Sequence, residues 1–213
     1  MIEPQWWAAQ CITAMLIMLA GELKEHRPTI ATAKVLASTA FVMVALSLKA
    51  TETFYGQAVL AALVLSWWGD VFLIPKSEKI FKLGILAFLL GHLGFGAAFL
   101  QLGFDWRGAL VGCAIIGLVS GLVLRWLYPK LDPGMKIPVL AYVGVISVMV
   151  ICAVASTWES NNYWVLIGAV MFFLSDLAVA KQRFVNPSFI NKLWGLPLYY
   201  GAQLILAYTI TST

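Results

Sequence analysis

The dominant constraint in this sequence is a succession of eight apolar runs, most of them close to the ~20 residues a helix needs to cross a hydrocarbon core. They read as helices over Gln5–Ala20, Thr32–Leu48, Gln57–Ile74, Phe81–Leu100, Gly108–Leu127, Met135–Thr157, Asn162–Ala180 and Lys192–Ile210. Pro75 stops the third, because a residue before proline is pushed out of the helical region. Of the 213 residues, 62% are apolar and 11% charged, against roughly 25% charged in a soluble domain. Too few polar groups remain to coat a soluble surface. The expectation is an all-α, polytopic protein of eight transmembrane helices, with residues 1–213 forming a single integral membrane domain.

Charge orients the helices. Lys24, Arg27, Lys34, Lys76, Lys79, Lys82, Arg125, Lys130, Lys136, Lys181, Arg183 and Lys192 lie in or beside the odd-numbered loops, whereas the even-numbered loops hold only Lys49 and Arg107. Twelve basic residues against two place the odd loops in the cytoplasm and both termini outside, as the positive-inside rule requires. The pattern suits a bacterial inner membrane. The net charge of +4 is small and confined to loops, which speaks for anionic lipid beside them and against nucleic acid. No basic segment precedes the first apolar run, so a cleaved signal peptide is not expected there. Gly108/Gly112 and Gly117/Gly121 should let the fifth helix approach its neighbours closely.

Two acidic residues sit well inside apolar runs. Asp70 falls in Ser66-Trp67-Trp68-Gly69-Asp70, and Asp176 in Phe172-Phe173-Leu174-Ser175-Asp176. An ionisable group in such a run is costly and points first to a functional site. Each lies about four residues before the end of its helix, roughly 6 Å at 1.5 Å per residue. Both helices run inward, so the carboxylates share one level in the cytoplasmic leaflet. Lys34, Tyr142, Tyr199 and His92 start from the same side and collect in the same layer. The two aspartates stand 106 residues apart in a chain of 213, each on the third helix of a half, which suggests a weak 4+4 parallel pseudo-repeat.

At these residues the chain resembles the YhhN family of membrane proteins. Ser66, Gly69-Asp70, Leu73, Phe81, Gly84, Phe88, His92 and Phe99 fit one family block, and Pro138-Val139 with Tyr142 fit another. Gly168-Ala169, Phe173, Ser175-Asp176 and Leu177-Ala178 fit a third, and Tyr199-Tyr200-Gly201-Ala202-Gln203-Leu204-Ile205 looks like the closing motif. The chain departs from the family at Val35, where a proline is usual, and at Phe95, where a tyrosine is usual. The resemblance implies a lysoplasmalogenase: hydrolysis of the vinyl ether bond of a lysoplasmalogen, giving a fatty aldehyde and a glycerophospho-base; the depth of the polar layer favours a lysophospholipid drawn from the cytoplasmic leaflet.

The residues suit that chemistry. Protonation of the vinyl ether β-carbon gives an oxocarbenium ion, water adds, and the hemiacetal collapses. This needs an acid, a base and negative charge near the cation, as in glycoside hydrolysis by two carboxylates. Burial and a like-charged neighbour both favour the protonated carboxyl, so Asp70 and Asp176 are the candidate catalytic pair, with the division of roles left open. Lys34, Ser66, His92, Tyr142, Ser175, Tyr199, Tyr200 and Gln203 are candidate substrate-binding residues, Lys34 for the phosphate. No cofactor is called for. Two histidines and the isolated Cys11, Cys113 and Cys152 make a poor metal set, and no Gly-x-Ser-x-Gly marks a serine nucleophile.

Plainer roles stand beside these. Asp70 could bond Ser66 or a loop lysine, Ser175 and Asp176 could serve helix packing, and Lys34 could snorkel to the surface. The alternative function is a lipid-binding protein or proton-coupled transporter, which also uses intramembrane acids. A transporter wants its site near the midplane; here the polar layer is biased to one side.

Overall fold

The computed structural model describes residues 2–212, and within them the chain is helical throughout, without a strand. Eight helices follow one another: α1 (Pro4–Leu23), α2 (Arg27–Ser47), α3 (Phe54–Phe72), α4 (Glu78–Leu100), α5 (Trp106–Leu127), α6 (Pro133–Ser160), α7 (Tyr163–Ala180) and α8 (Phe189–Tyr208). The apolar runs locate all eight but place most helix starts late. α2 begins at Arg27, capped by His26, and α4 at Glu78. Polar first turns outside the hydrocarbon are helical without being apolar, so hydropathy does not register them. Pro138, expected near a helix start, lies inside α6 because that helix already begins at Pro133.

Six of the eight helices are long and apolar enough to cross a membrane by length and composition; α3 and α8 fall outside that group. The reason is their polar content. α3 carries Gln57 and Asp70, and α8 carries Asn191, Lys192 and Gln203.

Consecutive helices pack as hairpins, α1 on α2, α3 on α4, α5 on α6 and α7 on α8. α4 also packs against α6, and α8 returns to touch α1, α2 and α3, which closes the bundle. In lipid, packing of this kind depends on small residues that let backbones approach. A Cβ on Gly69 would come within 2.6 Å of the Phe88 ring, so the glycine is what lets α4 lie against α3 beside Asp70. On α5 only one of the two expected glycine pairs serves packing. Gly108 and Gly112 face the α6 backbone at Ala155 and Ile151, whereas Gly117 and Gly121 have nothing within 4 Å. The latter pair lies on the outer side of a helix that also exposes Leu118 and Leu122.

The centre of the bundle is aromatic: Phe41, Phe88, Phe95, Phe172, Tyr199 and Tyr200 are buried together. A smaller apolar cluster of Leu127, Leu131, Met135 and Val139 packs with Phe81, Ile85 and Phe184 near the α5–α6 connection.

Candidate active site

Asp70 ends α3 facing inward, 1% exposed. Lys34 and Ser38 are one turn apart on α2 and so share a face, and both reach it. Lys34 Nζ donates to Asp70 Oδ1 at 2.9 Å, and Ser38 Oγ donates to Oδ2 at 2.5 Å. From α8, the Tyr199 hydroxyl donates to the same Oδ2 at 2.7 Å. Three donors, one of them an ammonium, converge on this carboxyl group. The bond to Ser66 does not form: Ser66 Oγ donates to the Ala62 carbonyl of its own helix at 2.9 Å. Nor does Lys34 reach for solvent as a snorkelling lysine would, since its ammonium is paired inside the bundle.

Asp176 on α7 has a different setting. Tyr142 of α6 donates its hydroxyl to Asp176 Oδ2 at 2.9 Å, and His92 Nε2 of α4 lies 3.1 Å from the same oxygen. Among the described residues, none donates to Oδ1. The side chain keeps 18% of its surface exposed, whereas His92 behind it is fully buried.

Phe172, one turn before Asp176, joins the two settings. Its ring meets His92 edge-on at 4.5 Å between centroids and Tyr199 at 5.4 Å. Each aspartate is therefore backed by a polar ring that is packed against the same phenylalanine.

Both carboxylates line one cavity of about 1270 Å³, large for a small-molecule site, where 300–1,000 Å³ is usual. Lys34, Tyr142, Ser175 and Tyr199 line it too. Its inner wall is hydrocarbon, with Ile85, Val123, Val143, Ile146 and Phe173. Its rim comes from the α1–α2, α3–α4 and α7–α8 connections and carries Glu22, Arg27, Lys76, Arg183 and, from the start of α8, Lys192. The cavity is thus shaped for an amphiphile, charged at one end and apolar at the other, with the two acids on its wall.

The remaining sequence candidates stand back from it. Ser66, Tyr200 and Gln203 are buried and do not line the cavity. Ser175 does line it, but its hydroxyl donates to the Phe172 carbonyl at 2.7 Å. The Gln203 amide faces the Tyr199 hydroxyl yet makes no hydrogen bond of good geometry, and the Tyr200 hydroxyl and His92 Nδ1 are likewise buried without one. Among the described residues no three of His, Cys, Asp and Glu come together in a set that could hold a metal ion.

Sequence reasoning missed Ser38, Phe172 and Lys192 as parts of the site. Ser38 carried a signal, since it stands four residues after Lys34 and shares its face. Phe172 and Lys192 carried none, because their contacts come from other helices.

A profile of the YhhN family matches residues 29–210. The lysoplasmalogenase TMEM86A of Bos taurus is 31% identical over 164 residues, covering 74% of this chain and 64% of that protein. The human protein of the same name is 32% identical over the same shares of the two chains. The lysoplasmalogenase of Mycobacterium tuberculosis is 33% identical over 152 residues, covering 68% of this chain and 57% of that protein. The chain thus spans a little under two thirds of the length of these curated relatives. No solved structure matches it.

Proposed function

We propose that the chain, which belongs to the YhhN family, is a membrane hydrolase that cleaves the vinyl ether bond of a lysoplasmalogen. The products are a fatty aldehyde and a glycerophospho-base. The relatives' names support the activity. The observation that carries it is the cavity, in which Asp70 and Asp176 lie between a charged rim and an apolar wall. A lysolipid fits that polarity only one way round, with its chain inward, its head at the rim and its ether bond near the acids.

The two settings suggest a division of labour. Both partners of Asp176, Tyr142 and His92, meet Oδ2, which leaves Oδ1 to carry a proton toward the cavity. That proton passes to the β-carbon of the vinyl ether and gives an oxocarbenium ion. The Asp70 anion, held by Lys34, lowers the energy of that cation across a medium of low dielectric. Water adds to the carbon bearing the ether oxygen and releases a proton to the Asp176 carboxylate. The hemiacetal then passes its hydroxyl proton to the glycerol oxygen as the C–O bond breaks. One water is consumed, and the acid is returned to its protonated form.

All eight helices cross the membrane in this reading, α3 and α8 sheltered by their neighbours, and the aspartates occupy the third helix of each four-helix half. The rim belongs to odd-numbered loops, which hold most of the basic residues. That supports entry of the lipid from the cytoplasmic leaflet, with both termini on the outer face of a bacterial inner membrane.

The test is aldehyde release by purified protein from a defined lysoplasmenyl lipid. Asp70→Asn and Asp176→Asn should each abolish it while the protein remains folded in detergent. Full activity in either variant would remove the paired-acid mechanism.

A further inference from the structure

We propose, resting on the lipid reading above, that the cavity rim contains a phosphodiester-binding site built on Lys192 and Arg27, with Glu22 occupying Lys192 when the site is empty. The rim cations are not equivalent. Lys34 is committed to Asp70 at 2.9 Å, and the Arg183 guanidinium lies over the Phe81 ring at 4.5 Å. Lys192 has a looser partner, Glu22 Oε1 at 3.5 Å. The other charges that reach Lys192 are those of Lys34 and Arg27. With Lys34 already paired with Asp70, Lys192 and Arg27 are left with one carboxylate, Glu22, an excess of one positive charge that an anion would neutralise.

Lys192 is also held in place. Asn191, 2% exposed, donates to Gln182 Oε1 at 3.0 Å and to the Asn186 carbonyl at 2.8 Å. The Ser188 amide donates to the same Gln182 oxygen at 2.9 Å. This buried knot ties the start of α8 to the widened turn after α7 and fixes the backbone from which Lys192 projects. The lysine side chain remains 32% exposed and lines the cavity.

The chemistry of the ligand follows from the cavity. Its inner wall takes a hydrocarbon chain, and the short glycerol of a lysophospholipid brings the phosphate from the acids to the rim. An ammonium and a guanidinium on one cavity rim suit phosphate oxygens, since charge-assisted hydrogen bonds are about twice as strong as neutral ones. On binding, the phosphate takes the place of the Glu22 carboxylate on Lys192.

The experiment is equilibrium titration of the purified protein in a neutral maltoside detergent with 1-acyl lysophosphatidylethanolamine, a phosphodiester. This lipid has no vinyl ether, so binding is read apart from turnover. A monoacylglycerol of the same chain is the uncharged control. Lys192→Gln should weaken the phospholipid about tenfold, the loss of one charge-assisted contact, and leave the monoacylglycerol unchanged. Glu22→Gln should act in the opposite direction and tighten the phospholipid severalfold. The opposed signs separate a ligand site from a structural ion pair, whose loss would weaken both lipids in both variants. Unchanged phospholipid binding in Lys192→Gln, or equal weakening of both lipids, would overturn the proposal. Inorganic phosphate, titrated as competitor, should act only far above the lipid concentration; competition at matched concentration would overturn the assignment to a lipid. Binding that follows these variants in a protein releasing no aldehyde would uphold the phosphate site and refute the hydrolase reading alone.

Discussion

Asp70 and Asp176 line one cavity and share no hydrogen-bond donor. Lys34, Ser38 and Tyr199 serve the first, and Tyr142 and His92 the second. Two carboxyl groups in contact would titrate as one coupled unit; two with separate donors can be set to different tasks. The two settings differ in kind, since an ammonium, a hydroxyl and a phenol attend Asp70 and a phenol and an imidazole attend Asp176.

The Lys34–Asp70 pair should reveal itself in a double-mutant cycle. Lys34→Met leaves a buried carboxylate without its cation, a change that costs about 3–5 kcal/mol. The thermal midpoint in detergent should fall sharply. Lys34→Met combined with Asp70→Asn should recover much of that loss, because neither charge is then stranded, while aldehyde release stays absent.

Tyr142→Phe removes one of the two hydrogen-bond partners of Asp176 Oδ2 and nothing that packs. Net loss of such a bond is worth about 1–2 kcal/mol, so kcat should drop by about tenfold with KM little changed. A change in KM alone would mean that Tyr142 touches substrate rather than orienting the acid.

Val143 lies on the apolar wall, away from both aspartates in sequence. Val143→Trp fills part of that space. Activity on long-chain lysoplasmenyl lipids should be lost before activity on short-chain ones, measured as a shift in the kcat/KM ranking across chain lengths. A uniform fall at every length would show that the chain does not run along this wall.

Because no metal-ligating set forms among the described residues, aldehyde release should persist after exhaustive chelation with EDTA. Loss on chelation and recovery with zinc would require a metal and a different mechanism.

Asp70 and Asp176 could be found from the sequence because an ionisable group in an apolar run stands out against its surroundings, whatever the tertiary fold. Ser38 was hidden for the opposite reason: a serine in a membrane helix is common and usually bonds its own backbone, as Ser66 and Ser175 do. Gln203 and Tyr200 looked as conspicuous as Tyr199, yet only Tyr199 points to the cavity. Neighbours on one helix turn away from each other by about 100°, and nothing local says which of them faces inward.

Sequence alone determined the number of helices and their approximate bounds, and singled out the two carboxyl groups within apolar runs. Those features follow from run length and charge, both of which are read along one dimension. Only the tertiary structure decided which donors meet which carboxylate, and that both acids open on one amphiphile-shaped cavity. In water a polar face would have marked the outside of each helix; in lipid the outside is as apolar as the core. The rotation of each helix about its own axis is therefore set by packing against its neighbours, and with it the site.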